Sequence, residues 1–216
     1  MPMRTHDLVS RLAHELAPIE RDAISKRLNR ALLLGMAGGT MLMVVVFGVS
    51  SSMPEQVLSS RFWIRLAFPL VVIAAALQLV QRLARPGASV KFAWWITLLP
   101  IAAMTLGALG FILATPAEFR LNLVPSGTMW GTTIANTVLL SLPPLIAMIQ
   151  AMRRLAPTRL ALSGAGAGLL AGAQGVLIYA LYCPSMPVPY WGILHVLAIF
   201  MTTAIGAALG PGYLRW

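Results

Sequence analysis

The chain has 216 residues, of which 58% are hydrophobic and 10% are charged, and its mean hydropathy is +0.81. About a quarter of the residues of a soluble domain are charged, because its surface must face water. The composition therefore excludes an ordinary soluble globule and favours one compact bundle of membrane-spanning segments.

The formal net charge of +10 raises the question of nucleic-acid binding. The basic residues lie between apolar runs, however, and no stretch interleaves them with exposed aromatic residues. This distribution is typical of topology signals and of contact with anionic membrane lipid. We therefore expect no direct nucleic-acid binding.

The chain begins with a polar tail, residues 1–30, which contains four of the six acidic residues. Apolar residues at helical spacing predict a short amphipathic helix that Pro18 ends or kinks. The apolar stripe of this helix consists of Leu8, Val9, Leu12, Ala13 and Leu16. Because the acids disfavour adhesion to anionic lipid, we interpret the tail as a protein-binding element, with a simple spacer as the alternative.

Six apolar segments follow the tail, and each is long enough to cross a hydrocarbon core of ~30 Å at about 1.5 Å per residue. They are predicted at residues 31–49, 62–80, 92–114, 130–151, 160–182 and 190–210. The expected fold class is an all-α membrane protein. It is a six-helix transmembrane bundle, residues 31–216, with a short cytoplasmic amphipathic helix at the N-terminus.

The Lys and Arg residues predict the orientation of the bundle. Thirteen of the sixteen lie in the tail, in residues 81–91 and 152–159, and at Arg215. The other three, Arg61, Arg65 and Arg120, belong to the opposite side. The positive-inside rule puts the first side in the cytoplasm, so both termini are expected there.

The fifth segment contains a glycine repeat, in which Gly164, Gly168 and Gly172 share one helix face. Small residues at this spacing let a neighbouring helix approach closely. We predict that these glycines pack against another helix of the same bundle, and a homodimer contact is the alternative.

No Asp or Glu lies inside a predicted span, which excludes a paired-carboxylate site. No spacing of His, Cys or acidic residues suggests a metal site or a nucleophile with its base. We therefore expect no catalytic residue, metal or cofactor. Asn136, Gln150 and Gln174 lie inside spans and are typical of interhelical hydrogen bonds. His195 is interpreted as a packed histidine, and Arg65 is expected to extend towards the membrane surface.

The single cysteine, Cys183, lies where the fifth segment meets the outer surface. A lone thiol there is either a small apolar residue or a group that can be oxidised or bind a soft metal. The sequence around it leaves both interpretations open.

Several local strings, in order along the chain, carry a resemblance to a known family. They are Leu83-Ala84-Arg85-Pro86-Gly87, Leu140-Ser141-Leu142-Pro143, Met152-Arg153-Arg154-Leu155-Ala156-Pro157-Thr158, the glycine-alanine run of residues 163–172, Cys183-Pro184, Leu209-Gly210 and Leu214-Arg215-Trp216. Over essentially its whole length the chain resembles NrsF, a bacterial family of six-span anti-sigma factors. These are negative regulators of an extracytoplasmic-function sigma factor.

The resemblance implies a function for the tail. The tail would hold the sigma factor at the bacterial inner membrane, and an envelope stress such as metal or oxidant exposure would release it. Members typically carry two periplasmic cysteines, and Cys183 matches the second. Where the first is expected this chain has Gly131, Thr132 and Thr133, and Ser185 replaces an acid that often follows the Cys-Pro pair.

The expected function is therefore a membrane-bound anti-sigma factor without catalytic activity. Leu8, Val9, Leu12 and Leu16 would enter a groove of the sigma factor, while Arg11 and its charged neighbours would determine register. Cys183 is the candidate for signal sensing. The alternative is a small multi-pass transporter or channel subunit whose path runs along Asn136, Gln150 and Gln174, and a membrane enzyme is the least favoured function.

Overall fold

The computed structural model describes residues 22–48, 57–85, 87–118, 127–182 and 188–215. Within these ranges the chain forms six long α-helices and no strand. They are α1 (Ala23–Phe47), α2 (Ser60–Leu83), α3 (Lys91–Ala114), α4 (Gly127–Arg153), α5 (Leu160–Tyr182) and α6 (Val188–Tyr213). All six are long and apolar enough to cross a membrane. The predicted class, an all-α protein with six membrane-spanning helices, is confirmed.

The helices extend beyond the apolar segments that the sequence delimits. Helix α1 begins at Ala23, whereas the first apolar segment begins at residue 31. Residues 23–30 contain no glycine or proline, so the helix continues without a break from the polar tail into the apolar segment. The amphipathic helix predicted before Pro18 lies outside the described residues.

Helix α5 lies at the centre of the bundle. It contacts α6, α4, α2 and α1, and every residue from Ser163 to Ala180 is buried. The other helices surround it in the order α1, α4, α6, α3, α2, and a small contact between α2 and α1 closes the ring. Because α5 consists largely of glycine and alanine in its first half, it occupies little width and four neighbours can approach its axis.

The surrounding helices carry the large apolar side chains that face outwards. Helix α3 contacts only α2 and α6 extensively, and Trp95 and Leu99 on it are exposed. Leu33 and Leu34 of α1 are exposed in the same way. A face of this kind is suited to hydrocarbon rather than water.

Two ends of the bundle can be told apart by charge. The basic end comprises the α2–α3 connection, residues 84–90, the α4–α5 connection, residues 154–159, and the start of α1. The opposite end contains the start of α2 and the ends of α1 and α5. These two names are used below.

Candidate functional site

The helix that carries the tail, α1, is seated on α4 and α5. A Cβ added to Gly35 would lie 2.7 Å from the Cα of Pro144 and 3.3 Å from Oε1 of Gln174. A Cβ added to Gly39 would lie 3.0 Å from the carbonyl oxygen of Leu140. The α1 backbone therefore lies directly against α4, and only glycine leaves room for this approach.

A side-chain hydrogen bond joins α1 to the central helix. Gln174 is fully buried, and its Nε2 donates to the main-chain oxygen of Leu32 at 3.0 Å. One turn earlier in α1, Leu28 is also fully buried. The packing of α1 against the bundle thus begins before residue 31, where the sequence predicted that the apolar segment starts.

At the basic end, Arg27 of α1 donates from Nη1 to the main-chain oxygen of Arg154 at 3.3 Å. This contact ties the first turns of α1 to the α4–α5 connection. Asp22, the last residue before α1, therefore lies at the same end of the bundle as that connection.

At the opposite end, aromatic rings join α1 to α5 and α6. The Phe47 ring lies 5.0 Å, centroid to centroid, from that of Tyr182, and Tyr182 lies 6.3 Å from Tyr179. The ring of His195 packs edge-on against Tyr179 at 6.1 Å. His195 is only 4% exposed, so it is a packed histidine of the bundle interior.

Arg65 of α2 also contacts this end of α5. Its Nη2 donates to the carbonyl oxygen of Ala180 at 2.5 Å. Ala180 lies in the last turn of α5, where carbonyl groups have no partner within the helix and carry partial negative charge. The guanidinium therefore caps the central helix, whereas the sequence predicted only that Arg65 would extend towards the surface.

The three glycines of the repeat in α5 all face α6. A Cβ added to Gly164 would lie 2.9 Å from the Cα of Gly210. A Cβ added to Gly168 would lie 2.9 Å from the Cα of Thr203, and one added to Gly172 would lie 3.0 Å from the Cα of Ile199. The repeat thus lies inside the bundle and faces a helix of the same chain. Helix α6 contributes its own small pair, Gly206 and Gly210, whose spacing of four residues is also visible in the sequence.

The other polar residues predicted inside the spans do not form one surface. Gln174 is buried and hydrogen-bonded to α1, Gln150 is exposed, and Asn136 is half-buried. They therefore do not line a continuous polar path. Within the described ranges, no three His, Cys, Asp or Glu side chains lie close enough to hold a metal ion.

Two groups of predicted site residues lie outside the described residues. They are Cys183, the candidate sensor, and the tail residues Leu8, Val9, Arg11, Leu12 and Leu16. The structure does describe α1, which follows the tail, and α5, which ends at Tyr182 directly before Cys183.

The fold and these contacts define a polytopic all-α membrane protein built around one buried helix, with a tail anchored to that core through α1. Residues 12–216 match the family model for NrsF, negative regulator of sigma F, and the chain belongs to this family. The family is regulatory and not enzymatic.

Two relatives match the chain along its length. The chain is 35% identical to the probable anti-sigma-F factor NrsF of Azospira oryzae over 215 residues, which are 99% of this chain and 100% of the relative. It is 29% identical to the anti-sigma-F factor NrsF of Caulobacter vibrioides over 218 positions, with the same coverage of 99% and 100%. No solved structure matches the chain.

Proposed function

We propose that the chain is a membrane-bound anti-sigma factor that holds an extracytoplasmic-function sigma factor at the bacterial inner membrane through its tail, residues 1–30. Membership in the NrsF family supports this function, as does the similarity to two anti-sigma-F factors. The two relatives also align with 99% of the chain, so nearly all of the tail falls within the matched length.

One observation carries the proposal furthest. Helix α1 is anchored along its length to the bundle, by Arg27 near its start, by Gln174 and Gly35 further along, and by Phe47 at its end. A protein bound to the tail would therefore be held close to the membrane surface. There it would be separated from the polymerase that needs it.

The distribution of charge supports the orientation that this function requires. Thirteen of the sixteen Lys and Arg residues lie in the tail, in residues 81–91 and 152–159, and at Arg215, which are all predicted on one side of the membrane. By the positive-inside rule this side faces the cytoplasm, which is where a sigma factor is found.

The proposed binding element is the apolar stripe of Leu8, Val9, Leu12 and Leu16. Burial of such side chains in a groove is favourable by roughly 25 cal/mol per Å² of apolar area, before the cost of ordering the tail. Arg11 and its charged neighbours would determine register and partner choice more than affinity.

We further propose that envelope stress is sensed near Cys183 and weakens binding at the tail. Cys183 follows Tyr182, whose ring contacts Phe47 at the end of α1. A change at the cysteine would therefore act on the same helix that carries the tail.

The binding element is tested with the full-length chain, an extracytoplasmic-function sigma factor from the same genome and a reporter under the promoter of that factor. Wild type is expected to repress the reporter, and Leu12→Asp is expected to release it, because a charge would enter the apolar interface. His14→Asp adds the same charge about 200° away on a helix, at roughly 100° per residue, and should repress as wild type does. Full repression by Leu12→Asp would show that the proposed binding face is wrong.

The sensor is tested in the same assay by adding cadmium or an oxidant. Cys183→Ser is expected to keep the reporter repressed under stress, whereas Ser185→Ala should respond as wild type does. If Cys183→Ser responds fully, the cysteine is not the sensor.

A further inference from the structure

An open cavity of ≈ 140 Å³ at the basic end is lined by the end of α2, the α2–α3 connection and the α4–α5 connection. The lining residues are Arg82, Leu83, Arg85, Gly87, Ala88, Val90, Thr158 and Arg159. The fold thus brings Arg159 near Arg82, at the end of α2, and Arg85, in the α2–α3 connection, although they are far apart in sequence.

The cavity has an excess of positive charge. Three of its lining residues are arginines, and none of the eight is acidic. The two acidic residues that the structure describes, Asp22 and Glu118, do not line it. Guanidinium groups present several N–H donors in a planar fork that matches the oxygens of a phosphate. The described lining of the cavity therefore favours an anionic ligand.

The connection that forms one wall is held by its own hydrogen bonds. Arg82 donates from Nη1 to the main-chain oxygen of Ser89 at 3.4 Å, and the N–H of Ala88 donates to the oxygen of Arg85 at 3.3 Å. Gly87 has a φ of 80°, which a residue with a side chain rarely adopts. These contacts join the end of α2 to the α2–α3 connection, and both Arg82 and Arg85 line the cavity.

Two of the lining residues are large, apolar and part of the packed bundle. Leu83 and Val90 are 6% and 8% exposed. The Cδ1 of Leu83 lies 2.8 Å from the position of a Cβ on Gly166, so α2 is packed tightly on α5 just beneath the cavity. These residues therefore connect the cavity to the packed core of the bundle.

The opposite wall is formed by Thr158 and Arg159, which immediately precede the central helix. Helix α5 begins at Leu160, and the N–H of Ser163 donates to the oxygen of Arg159. The first N–H groups of a helix carry partial positive charge, which adds to the field of the arginines. This contribution is secondary to the three side chains.

We propose that this cavity binds a phosphate-bearing anion, and that its occupant in the membrane is the headgroup of an anionic phospholipid. The cavity lies where α2 ends and α5 begins, which is the level of the headgroups if these helices span the bilayer. Basic pockets between transmembrane helices on the cytoplasmic side are suited to such headgroups. A bound lipid would join the two connections and so stabilise the bundle close to the point where the tail emerges. This inference does not depend on the identity of the sigma factor.

The test uses the purified full-length chain in neutral detergent micelles. Phosphatidylglycerol, phosphatidylcholine or inorganic phosphate is added separately, and bound ligand is measured by native mass spectrometry together with thermal unfolding. The test variant is Arg82→Gln with Arg159→Gln. Its matched control is Arg153→Gln with Arg154→Gln, which removes the same charge from the same end but from residues that do not line the cavity.

Wild type and the control are expected to bind phosphatidylglycerol in preference to phosphatidylcholine. The test variant should bind phosphatidylglycerol about tenfold more weakly or worse, because it loses two charge-assisted contacts. Arg85→Gln alone should weaken binding in the same direction and serves if the double variant fails to fold.

Three results would overturn the proposal. Equal losses in the test variant and the control would mean that surface charge, and not the cavity, attracts the lipid. Binding of inorganic phosphate without any preference for phosphatidylglycerol would leave an anion site and exclude the lipid as its occupant. If the test variant loses repression in cells but keeps its lipid preference, the cavity serves the sigma factor and the lipid proposal is wrong.

Discussion

The side chain of Gln174 donates from Nε2 to the main-chain oxygen of Leu32 at 3.0 Å, from the central helix to the helix that carries the tail. Gln174 is fully buried, and its Oε1 has no hydrogen-bond partner among the described residues. The same amide therefore stabilises the contact between α5 and α1 through one atom and weakens it through the other.

Replacing Gln174 with methionine tests this balance. Interhelical hydrogen bonds in membrane proteins contribute about 0.6 kcal/mol on average, and removing a buried unpaired oxygen is favourable. We expect Gln174→Met to change the free energy of unfolding in detergent by less than about 1 kcal/mol. Gln150→Met, at an exposed position, is the control. A loss above about 2 kcal/mol would mean that the amide is fully satisfied in the folded protein.

The glycine repeat of α5 gives a prediction about stability. A Cβ on Gly168 would approach the Thr202 carbonyl and the Thr203 Cα too closely, so Gly168→Ala must push α5 and α6 apart. We expect a loss of about 1–3 kcal/mol in the free energy of unfolding. Gly107→Ala, where nothing lies within 4 Å, should be neutral or slightly stabilising.

The same pair of variants tests the homodimer alternative. If the repeat mediates dimerisation, Gly168→Ala will shift the chain from dimer to monomer in size-exclusion chromatography and leave the unfolding of the monomer unchanged. That result would contradict packing against α6 as the main function of this face.

A third prediction connects the packing of α1 against α4 with regulation. A Cβ on Gly35 would meet the backbone of Pro144, which cannot rotate away, so Gly35→Ala must displace α1. We expect Gly35→Ala to change repression of the reporter at equal protein abundance, because the tail is attached to α1. Gly110→Ala has open space around the added methyl and should leave repression unchanged. Equal repression by both variants would show that the position of α1 does not matter to the tail.

The aromatic contact at the opposite end can be tested separately. Phe47→Ala removes the ring contact with Tyr182, and an aromatic pair contributes about 0.5–1.5 kcal/mol beyond its area. We expect a loss of this size in the free energy of unfolding and a weaker response of the reporter to envelope stress. Val46→Ala, on the exposed side of the same helix, should change neither.

Deleting residues 2–21 separates the two functional hypotheses. An anti-sigma factor should lose repression entirely, while the bundle remains in the membrane fraction because all six helices are retained. A transporter should keep its activity after the deletion and lose it when Asn136, Gln150 and Gln174 are replaced. Full repression by the truncated chain would exclude the tail as the binding element.

Much of this architecture is predictable from the sequence, since the class and number of helices follow from the lengths of the apolar runs. Even so, the start of α1 at Ala23 was not predicted, because hydropathy identifies the apolar part of a helix and not the residues at which the helix begins and ends. The bond from Arg65 to Ala180 was also missed, since it joins residues that are 115 positions apart.

The sequence by itself determined that the chain forms six apolar helices, because a backbone in hydrocarbon must satisfy its hydrogen bonds within each segment. It also contained the charge asymmetry from which the orientation is predicted. Only the tertiary structure decided that α5 is the central helix, that its glycine repeat faces α6, and that α1 lies on Pro144 and Gln174. Lipid tails are as apolar as leucine, so hydropathy cannot tell which face of a helix contacts lipid and which contacts another helix. The choice of neighbouring helix depends instead on shape and on a few hydrogen bonds between residues that are distant in sequence.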